Sequence, residues 1–191
     1  MSNKSERKQT LIIEKARELF IQKGYNSTSF ADIVAHAGIS KGSIYYHFNN
    51  KETLFLSVLE YDTNEWEEQW QTKRQEYSSF IELVVGMAYH YLEHFNNPII
   101  QVSHEFFMSN PDVVQDQSEK ITQIMDSPIR FYEEIFSYGI NTNLIKHQSS
   151  KDLAIVFNSM IGGMTVVYHK YDKEKFFKLF ELSIELFFDG L

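Results

Sequence analysis

The sequence has no cysteine, and only three prolines and eight glycines occur among its 191 residues. Without cysteine there can be no disulfides, thiolate metal sites or cysteine nucleophiles, which agrees with the cytoplasmic location that we predict. The scarcity of proline and glycine, with little strand-type alternation, predicts helices along almost the whole chain. The first apolar run, Leu11–Ile13, is too short for a signal-peptide core or a membrane span, so we expect neither export nor insertion.

Signatures of common enzymes are also missing. The sequence has no phosphate-binding Gly-rich loop, no nucleophile elbow and no HExxH pattern, so we predict no catalytic residue and no cofactor. His90 and His94 are four residues apart on one helix face, a spacing that can hold a metal ion, and His104 could join them. Because no carboxylate completes the set at fixed spacing, ordinary hydrogen-bonded histidines are favoured, and the sequence leaves both interpretations open.

Charge is distributed unevenly along the chain. The net charge is -8, but residues 1–51 contain eight basic and four acidic side chains, which leaves +4 there and -12 in the remainder. This asymmetry favours a small basic module that faces a polyanion and a larger acidic body. Chance clustering on a solvated surface would produce the same numbers, so charge alone does not decide.

Helical periodicity and capping residues divide the first 60 residues into four helices. The first ends near Lys23, with Gly24 as a left-handed cap. The second opens at Ser29, where Asp32 completes a capping-box pattern. Gly38 marks a tight turn and Ser40 is placed to cap a third helix, Lys41–His47. Asn50 is placed to cap the fourth.

The second and third helices with their glycine-containing turn predict a helix-turn-helix unit. Small or polar side chains surround the start of the third helix, where free backbone N–H groups and the positive dipole end suit phosphate and permit close approach to bases. Tyrosine hydroxyls, an imidazole and a lysine follow. One of the two tyrosines is expected to pack partly into the core. The candidate DNA-binding residues are Thr28, Ser29, Ser40, Lys41, Gly42, Ser43, Tyr45, Tyr46, His47 and Lys51.

Three runs at fixed spacing carry a family resemblance. TSFADIV (28–34), AGISKGSIYYHF (37–48) and KETL (51–54) resemble the N-terminal signature of tetracycline-repressor (TetR) family regulators, over residues 8–60. The resemblance implies an all-α protein with a helix-turn-helix DNA-binding domain (1–51) and a C-terminal helical ligand-binding and dimerisation bundle (52–191). It also implies phosphate contacts by Thr28, Tyr46, His47 and Lys51, and that Lys41, Gly42, Ser43 and Tyr45 lie at or near base edges.

The two C-terminal helices, predicted near 150–169 and 173–188, are rich in apolar side chains that a second copy of the chain would cover. Adjacent glycines at 162 and 163 suggest that a partner helix approaches there. The alternative is close packing within one chain. The apolar residues concerned are Phe157, Met160, Ile161, Met164, Phe176, Phe177, Phe180, Ile184 and Phe187.

An aromatic effector pocket is the least direct inference, because an aromatic stripe at helical spacing also describes plain core. Glu105 or Glu133 could orient a ligand, with a cationic lipophilic compound favoured over an acyl chain or another hydrophobic metabolite. The sequence thus predicts a homodimeric repressor that binds a palindromic operator and is released by such an effector. The alternative is a helical small-molecule-binding protein without operator-specific DNA binding. The candidate ligand-binding residues are Trp66, Trp70, Met87, Tyr91, Phe106, Phe107, Phe131, Tyr132, Met160 and Tyr168.

Overall fold

The computed structural model describes residues 3–146 and 149–190, and within these ranges every regular element is a helix, which confirms the all-α prediction. Two 3-10 turns, Arg74–Glu76 and Tyr168–Lys170, follow the fourth and the tenth α-helix. The α-helices are α1 (Asn3–Lys23), α2 (Phe30–Ala37), α3 (Lys41–His47), α4 (Lys51–Lys73), α5 (Phe80–Phe95), α6 (Pro98–Ser109), α7 (Pro111–Asp116), α8 (Ser118–Met125), α9 (Ser127–Asn141), α10 (Ser150–Val167) and α11 (Lys173–Asp189).

The predicted helix ends near the N-terminus are confirmed, with one difference in hydrogen bonding. Gly24 and Gly38 adopt φ values of +81° and +62°, the left-handed conformation that glycine tolerates best. Asn50 Oδ1 accepts the Thr53 N–H at 2.8 Å and caps α4. Ser40 lies at the N-cap of α3, but its side chain makes no capping hydrogen bond. The first turn of α3 is therefore not capped by the Ser40 hydroxyl.

The three prolines stand at the starts of helices. Pro98, Pro111 and Pro128 lie in the first turns of α6, α7 and α9, where the missing N–H has no intrahelical acceptor to satisfy. Pro128 follows a break between two helices, since α8 ends at Met125 and α9 begins at Ser127.

The chain forms two compact units. Unit 1 comprises Met1–Trp66 and Asn97–Ile124, and unit 2 comprises Glu67–Asn96 and Met125–Leu191. The helices α6, α7 and most of α8 thus pack with the helix-turn-helix, although they follow it by some 50 residues. This division describes packing, and the predicted functional boundary after residue 51 stays a prediction.

Unit 1 has an aromatic core that explains why α6 belongs to it. The Phe55 ring lies 4.9 Å from both Phe20 and Phe106, and Tyr25 lies 5.0 Å from Phe106. All four side chains are buried. Since burial of a phenylalanine side chain contributes about 1.5–3 kcal/mol, the contact of Phe106 with this cluster holds α6 firmly to α1 and α4.

Unit 2 is built around α9 and α10, whose rings interlock. Phe136 and Phe157 lie 5.7 Å apart, and Tyr132 contacts Phe157 at 4.9 Å. The Phe80 ring packs directly against α9 at Gly139. A Cβ at this position would lie 2.6 Å from the ring, so a larger residue would displace it. Seven residues of α5 are buried, whereas its Ile81 is 58% exposed. None of the described helices is long and apolar enough to span a bilayer.

The structure of α10 and α11 corrects the expectation that their apolar residues need a second copy of the chain to cover them. Five of the nine apolar residues that were expected to need a second copy are buried within the chain: Phe157, Ile161, Phe176, Phe180 and Ile184. For these five the alternative, packing within one chain, is right. Different side chains on the same two helices remain exposed, and they are the ones available to a partner: Ile155, Val156, Val166, Leu182 and Leu186.

Candidate DNA-binding surface and effector site

The recognition helix α3 is locked in place by its apolar side. Ile44 and Phe48 are buried in the unit 1 core, and the Phe48 N–H donates to the Ile44 carbonyl at 2.8 Å, which closes the last turn. The opposite side is open: Lys41 and Gly42 are exposed, and Tyr46 is 80% exposed. The arrangement presents a short helix N-terminus with a cation to an approaching polyanion.

The two tyrosines of α3 differ in their surroundings. Tyr45 packs edge-on against Phe30 of α2 at 4.9 Å, and the Lys41 ammonium lies 5.6 Å above its ring. Tyr46 touches His47 and extends into solvent. Ser43 and His47 are half-buried. Tyr45, although 45% exposed, therefore stabilises the helix pair, while Tyr46 makes no contact with α2 that would hold it.

The turn between α1 and α2 holds two predicted contact residues. Thr28 is buried and its hydroxyl donates to the Gly24 carbonyl at 2.7 Å. Ser29 forms the predicted capping box: its hydroxyl oxygen accepts the Asp32 N–H at 3.1 Å, and its own N–H donates to Asp32 at 2.9 Å. The Ser29 backbone and side chain together lower the pKa of the Asp32 carboxyl from its ordinary 3.8. The start of α2 is thus rigid.

Lys51 bends back toward this turn. Its ammonium donates to the Tyr25 carbonyl at 3.1 Å and lies 4.0 Å above the Tyr25 ring. Partial burial lowers the pKa of Lys51, while the carboxylates of Glu52 and Glu105 oppose that shift. Glu105, which the sequence suggested as a ligand-orienting group, accepts the N–H groups of Tyr25 and Asn26 instead. Sequence offered no signal for this contact, because its partners are about 80 residues apart.

The predicted ligand-binding residues do not all share one core. Trp66, Phe106 and Phe107 belong to unit 1, and Phe106 is part of its aromatic core. The remaining seven belong to unit 2. Within unit 2, Trp70 stacks on His90 at 5.7 Å and contacts Phe131 at 6.4 Å, whereas Tyr168 packs against Phe176 near the end of α10. Phe131 thus lies beside Trp70, while Tyr168 packs against a different helix.

Unit 2 also contains buried polar side-chain atoms. The Trp70 Nε1, the Tyr132 hydroxyl and the Asn158 Oδ1 are buried and lack a hydrogen-bond partner among the residues described. Burial, followed by the neighbouring Tyr91, raises the pKa of Tyr132 well above its ordinary value. An unsatisfied buried donor or acceptor costs about 1–3 kcal/mol. A polar ligand group that reached any of these atoms would relieve part of that cost.

Asn158 was not among the ligand-binding residues predicted from the sequence. Its polar side chain, between the apolar residues Phe157 and Ile161, could have indicated a buried polar group. About one turn further along α10, a Cβ on Gly162 would lie 3.5 Å from the Tyr91 hydroxyl, so α10 is in van der Waals contact with α5 there. Glu133 is half-buried on α9, the helix that carries Tyr132.

The histidines give no support for a metal site. His90 is buried and stacked on Trp70, His94 is half-buried on the same helix, and His104 lies on α6 in unit 1. No group of three or more metal-ligating side chains occurs in residues 3–146 and 149–190.

A separate open cavity of about 720 Å³ lies in unit 2, between the start of α5 and the ends of α9 and α11. Its wall is largely apolar, with Ile81, Leu144 and Phe188, and Lys146 is the cation at its edge. The two serines at the α5 start are not available to a ligand through their N–H groups, because both groups donate to Glu82.

Comparison with known proteins agrees with both halves of this description. Residues 12–58 match the model of bacterial regulatory proteins of the tetR family, and residues 62–191 match the C-terminal region of QacR-like proteins. The HTH-type transcriptional regulator QacR of Staphylococcus aureus is 31% identical over 188 residues, which cover 94% of this chain and 96% of that protein. The fatty acid metabolism regulator protein of Bacillus subtilis is 25% identical over 185 residues, covering 94% and 93%.

Solved structures share the fold. The regulator FadR from Bacillus subtilis, crystallised with stearoyl-CoA, superposes with a TM-score of 0.74 at 20% identity, covering 95% of this chain and 98% of that one. A TetR-family regulator from Cytophaga hutchinsonii gives 0.75 at 19% identity, covering 98% and 96%. These relatives are transcriptional regulators and not enzymes. The chain therefore belongs to the TetR family, as a helix-turn-helix transcriptional regulator with a QacR-like C-terminal ligand-binding domain.

Proposed function

We propose that this regulator is a repressor that binds a palindromic operator as a homodimer and releases it when a small effector binds unit 2. The observation that carries the proposal is the open side of α3, with Lys41, Gly42 and Tyr46 exposed on a helix whose other side is packed into the core. A helix presented in this way fits the major groove of DNA. Its short side chains at positions 40–43 allow the backbone to approach base edges.

A mobility-shift assay on promoter fragments beside the protein's own gene tests this function. We expect a retarded band that survives competitor DNA and weakens steeply with salt, since phosphate contacts release counterions. The rival function is a helical ligand-binding protein that does not recognise an operator. Absence of a shift on every fragment at low salt would favour the rival.

The dimer is proposed on the exposed apolar side chains of α10 and α11. Val166 is 68% exposed, and nothing lies within 4 Å of a Cβ built on Gly163, so a partner helix has room to approach. Two copies related by a two-fold axis would also match the symmetry of a palindromic operator. In sedimentation equilibrium we expect the wild type to be a dimer and Val166→Glu with Leu186→Glu to be monomeric. Lys151→Glu, on the exposed start of α10, is the control.

The effector class is inferred from the lining of unit 2. Aromatic faces around Trp70 and Tyr132, in a body with a net charge of -12 after residue 51, favour a lipophilic cation. The apolar cavity beside Lys146 favours the alternative, an anionic amphiphile such as an acyl chain carrying an acidic head. Tryptophan quenching with a lipophilic quaternary ammonium compound and with a long-chain acyl-CoA separates the two classes.

Release of the operator is proposed to use α4 as a lever. This helix is continuous from Lys51 to Lys73, with Lys51 beside the DNA-binding turn and Trp70 in unit 2. A ligand that displaces its end would change the separation of two recognition helices from the roughly 34–36 Å that one turn of DNA requires. Linkage is reciprocal, so operator must weaken effector binding by the same factor, about 5–150-fold. An effector affinity that operator leaves unchanged would rule this lever out.

A further inference from the structure

Glu105 of α6 contacts the turn that precedes the second helix of the DNA-binding unit. Its Oε2 accepts the Tyr25 N–H at 2.7 Å and the Asn26 N–H at 3.1 Å. Both groups lie beyond the end of α1 at Lys23. A carboxylate that accepts two backbone N–H groups forms strong, charge-assisted hydrogen bonds, so this contact defines where the turn lies.

Glycine at position 24 makes the contact possible. Its φ of +81° turns the chain out of α1, and a Cβ there would lie only 3.1 Å from the Glu105 Oε2. The carboxylate therefore occupies space that other residue types would fill.

Lys51 contacts Tyr25, the residue whose N–H donates to Glu105, through the Tyr25 carbonyl and ring. While the N–H of Tyr25 donates to Glu105, its carbonyl accepts from the Lys51 ammonium at 3.1 Å. The Lys51 ammonium also lies 4.0 Å above the Tyr25 ring. Tyr25 is thus a connector between a carboxylate of α6 and a cation at the start of α4.

The position of Glu105 is itself well determined. The next residue, Phe106, is buried in the unit 1 core against Tyr25. At the other end of α6, Asn97 caps the helix through the Ile99 N–H and donates to buried Asp62 at 2.8 Å. Because both ends of α6 are fixed to unit 1, the Glu105 carboxylate is held at a defined position beside the turn.

We propose that Glu105 is a positioning residue for DNA binding: through Tyr25 it sets the α1–α2 turn and holds the Lys51 ammonium where a DNA phosphate reaches it. This inference rests on the proposed operator binding, and it assigns α6 to the DNA-reading unit. Thr28 and Ser29, which follow the turn directly, are positioned by the same contact. Glu105 does not touch DNA in this account, so its effect comes only through the geometry of the turn.

Glu105→Gln tests the proposal against simple electrostatics. The change removes one negative charge, and long-range electrostatics alone would strengthen DNA binding. Positioning predicts the opposite sign, because the neutral amide oxygen of glutamine accepts the two backbone N–H groups more weakly than a carboxylate oxygen does. We expect operator affinity to fall roughly tenfold, equivalent to about 1.4 kcal/mol. The matched control, Glu119→Gln on exposed α8, should bind operator as tightly as the wild type or slightly more tightly.

A double-mutant cycle separates positioning from a general loss of stability. If Glu105 acts through Lys51, most of the tenfold effect should vanish when Glu105→Gln is introduced into Lys51→Ala, since neighbours in one network are not additive. Faster amide exchange at Tyr25 and Asn26 in Glu105→Gln is the expected readout without DNA. Full additivity, or a variant that binds as tightly as Glu119→Gln, overturns the role of Glu105. A wild type that retards no DNA instead overturns the operator function, and the role of Glu105 with it.

Discussion

The Phe106 ring of α6 packs edge-on against Tyr25 beside the α1–α2 turn, with centroids 5.0 Å apart and planes at 81°. Both side chains are buried, and Phe55 lies against each of them at 4.9 Å. Such edge-to-face pairs add about 0.5–1.5 kcal/mol to the burial of the rings. The contact joins a helix from the C-terminal sequence region to the DNA-binding core.

Replacement of Phe106 tests this assignment. Because Phe106 is fully buried, Phe106→Ala should lower the free energy of unfolding by about 3–5 kcal/mol in urea denaturation. Met108 on the same helix is 85% exposed, so Met108→Ala should stay within about 0.5 kcal/mol of the wild type. If Phe106→Ala kept full stability and lost only effector affinity, Phe106 would belong to the effector site.

Asp62 is expected to be a second anchor of unit 1. Its buried carboxylate accepts from Arg17 Nε at 2.7 Å and from Asn97 Nδ2 at 2.8 Å, and the Arg17 Nη2 lies 2.6 Å away as an ion pair. Removal of one partner of a buried pair costs about 3–5 kcal/mol, and the partial exposure of Arg17 reduces the expected loss for Asp62→Ala to about 2–3 kcal/mol. Chemical unfolding measures the loss. The exposed Glu65 of the same helix is the control position, where alanine should have little effect; equal losses at both positions would contradict the buried network.

Tyr132→Phe should separate effector binding from stability. The Tyr132 hydroxyl has no partner among the described residues, so its removal should leave the unfolding free energy of the unliganded protein unchanged or slightly raised. If the hydroxyl bonds the effector, affinity measured by tryptophan quenching should fall about tenfold. Tyr171→Phe, at an exposed position that does not line the cavity beside Lys146, should change neither quantity. Wild-type affinity in Tyr132→Phe would place the effector elsewhere.

Lys41 and Lys51 are predicted to contribute differently to DNA binding. Lys51→Ala should weaken specific and non-specific binding alike and reduce the slope of log affinity against log salt by about one unit, as the loss of one phosphate contact requires. Lys41→Ala should weaken operator binding more than binding to random DNA. The measurement is a salt titration of both variants on both DNAs. Equal losses throughout would mean that the two roles are wrongly assigned.

Acid should weaken the capping box of α2. The folded-state pKa of Asp32 lies below its ordinary 3.8, so the carboxylate stabilises the fold fully above that pH. This stabilisation is lost as the pH falls through the lower, folded-state value. Asp32→Asn should therefore be less stable than the wild type near neutral pH, and the difference should shrink below pH 3.8. Thermal unfolding from pH 7 to 2.5 measures it, with Asp112→Asn as control; a difference that is constant across this range would contradict the assignment.

Local signals in the sequence predicted the helix-turn-helix accurately. Ser29 and Asp32, Gly24, Gly38 and Asn50 each act through hydrogen bonds or φ values within a few residues of themselves. Such features depend little on the rest of the chain. The start of α3 was predicted on the same basis, although Ser40 proved to occupy the cap position without its hydrogen bond.

Contacts between distant residues could not be predicted in this way. An aromatic stripe looks the same whether it lines a ligand site or a core, which is why Phe106 was a ligand candidate and Phe157 a dimerisation candidate. Asn158 became a candidate ligand-binding residue only once the fold showed that its oxygen is buried without a partner.

By itself the sequence determined the helices, their caps, the basic N-terminal module and the family, because all of these depend on short-range order along the chain. Only the tertiary structure decided that α6 packs with the DNA-binding helices, that Glu105 holds the turn at Tyr25, and which side chains of α10 and α11 stay exposed. The physical reason is that side-chain burial and the hydrogen-bond donors of a carboxylate depend on contacts between residues some 80 positions apart. A periodic pattern specifies which face of a helix is buried, but not which helix covers that face.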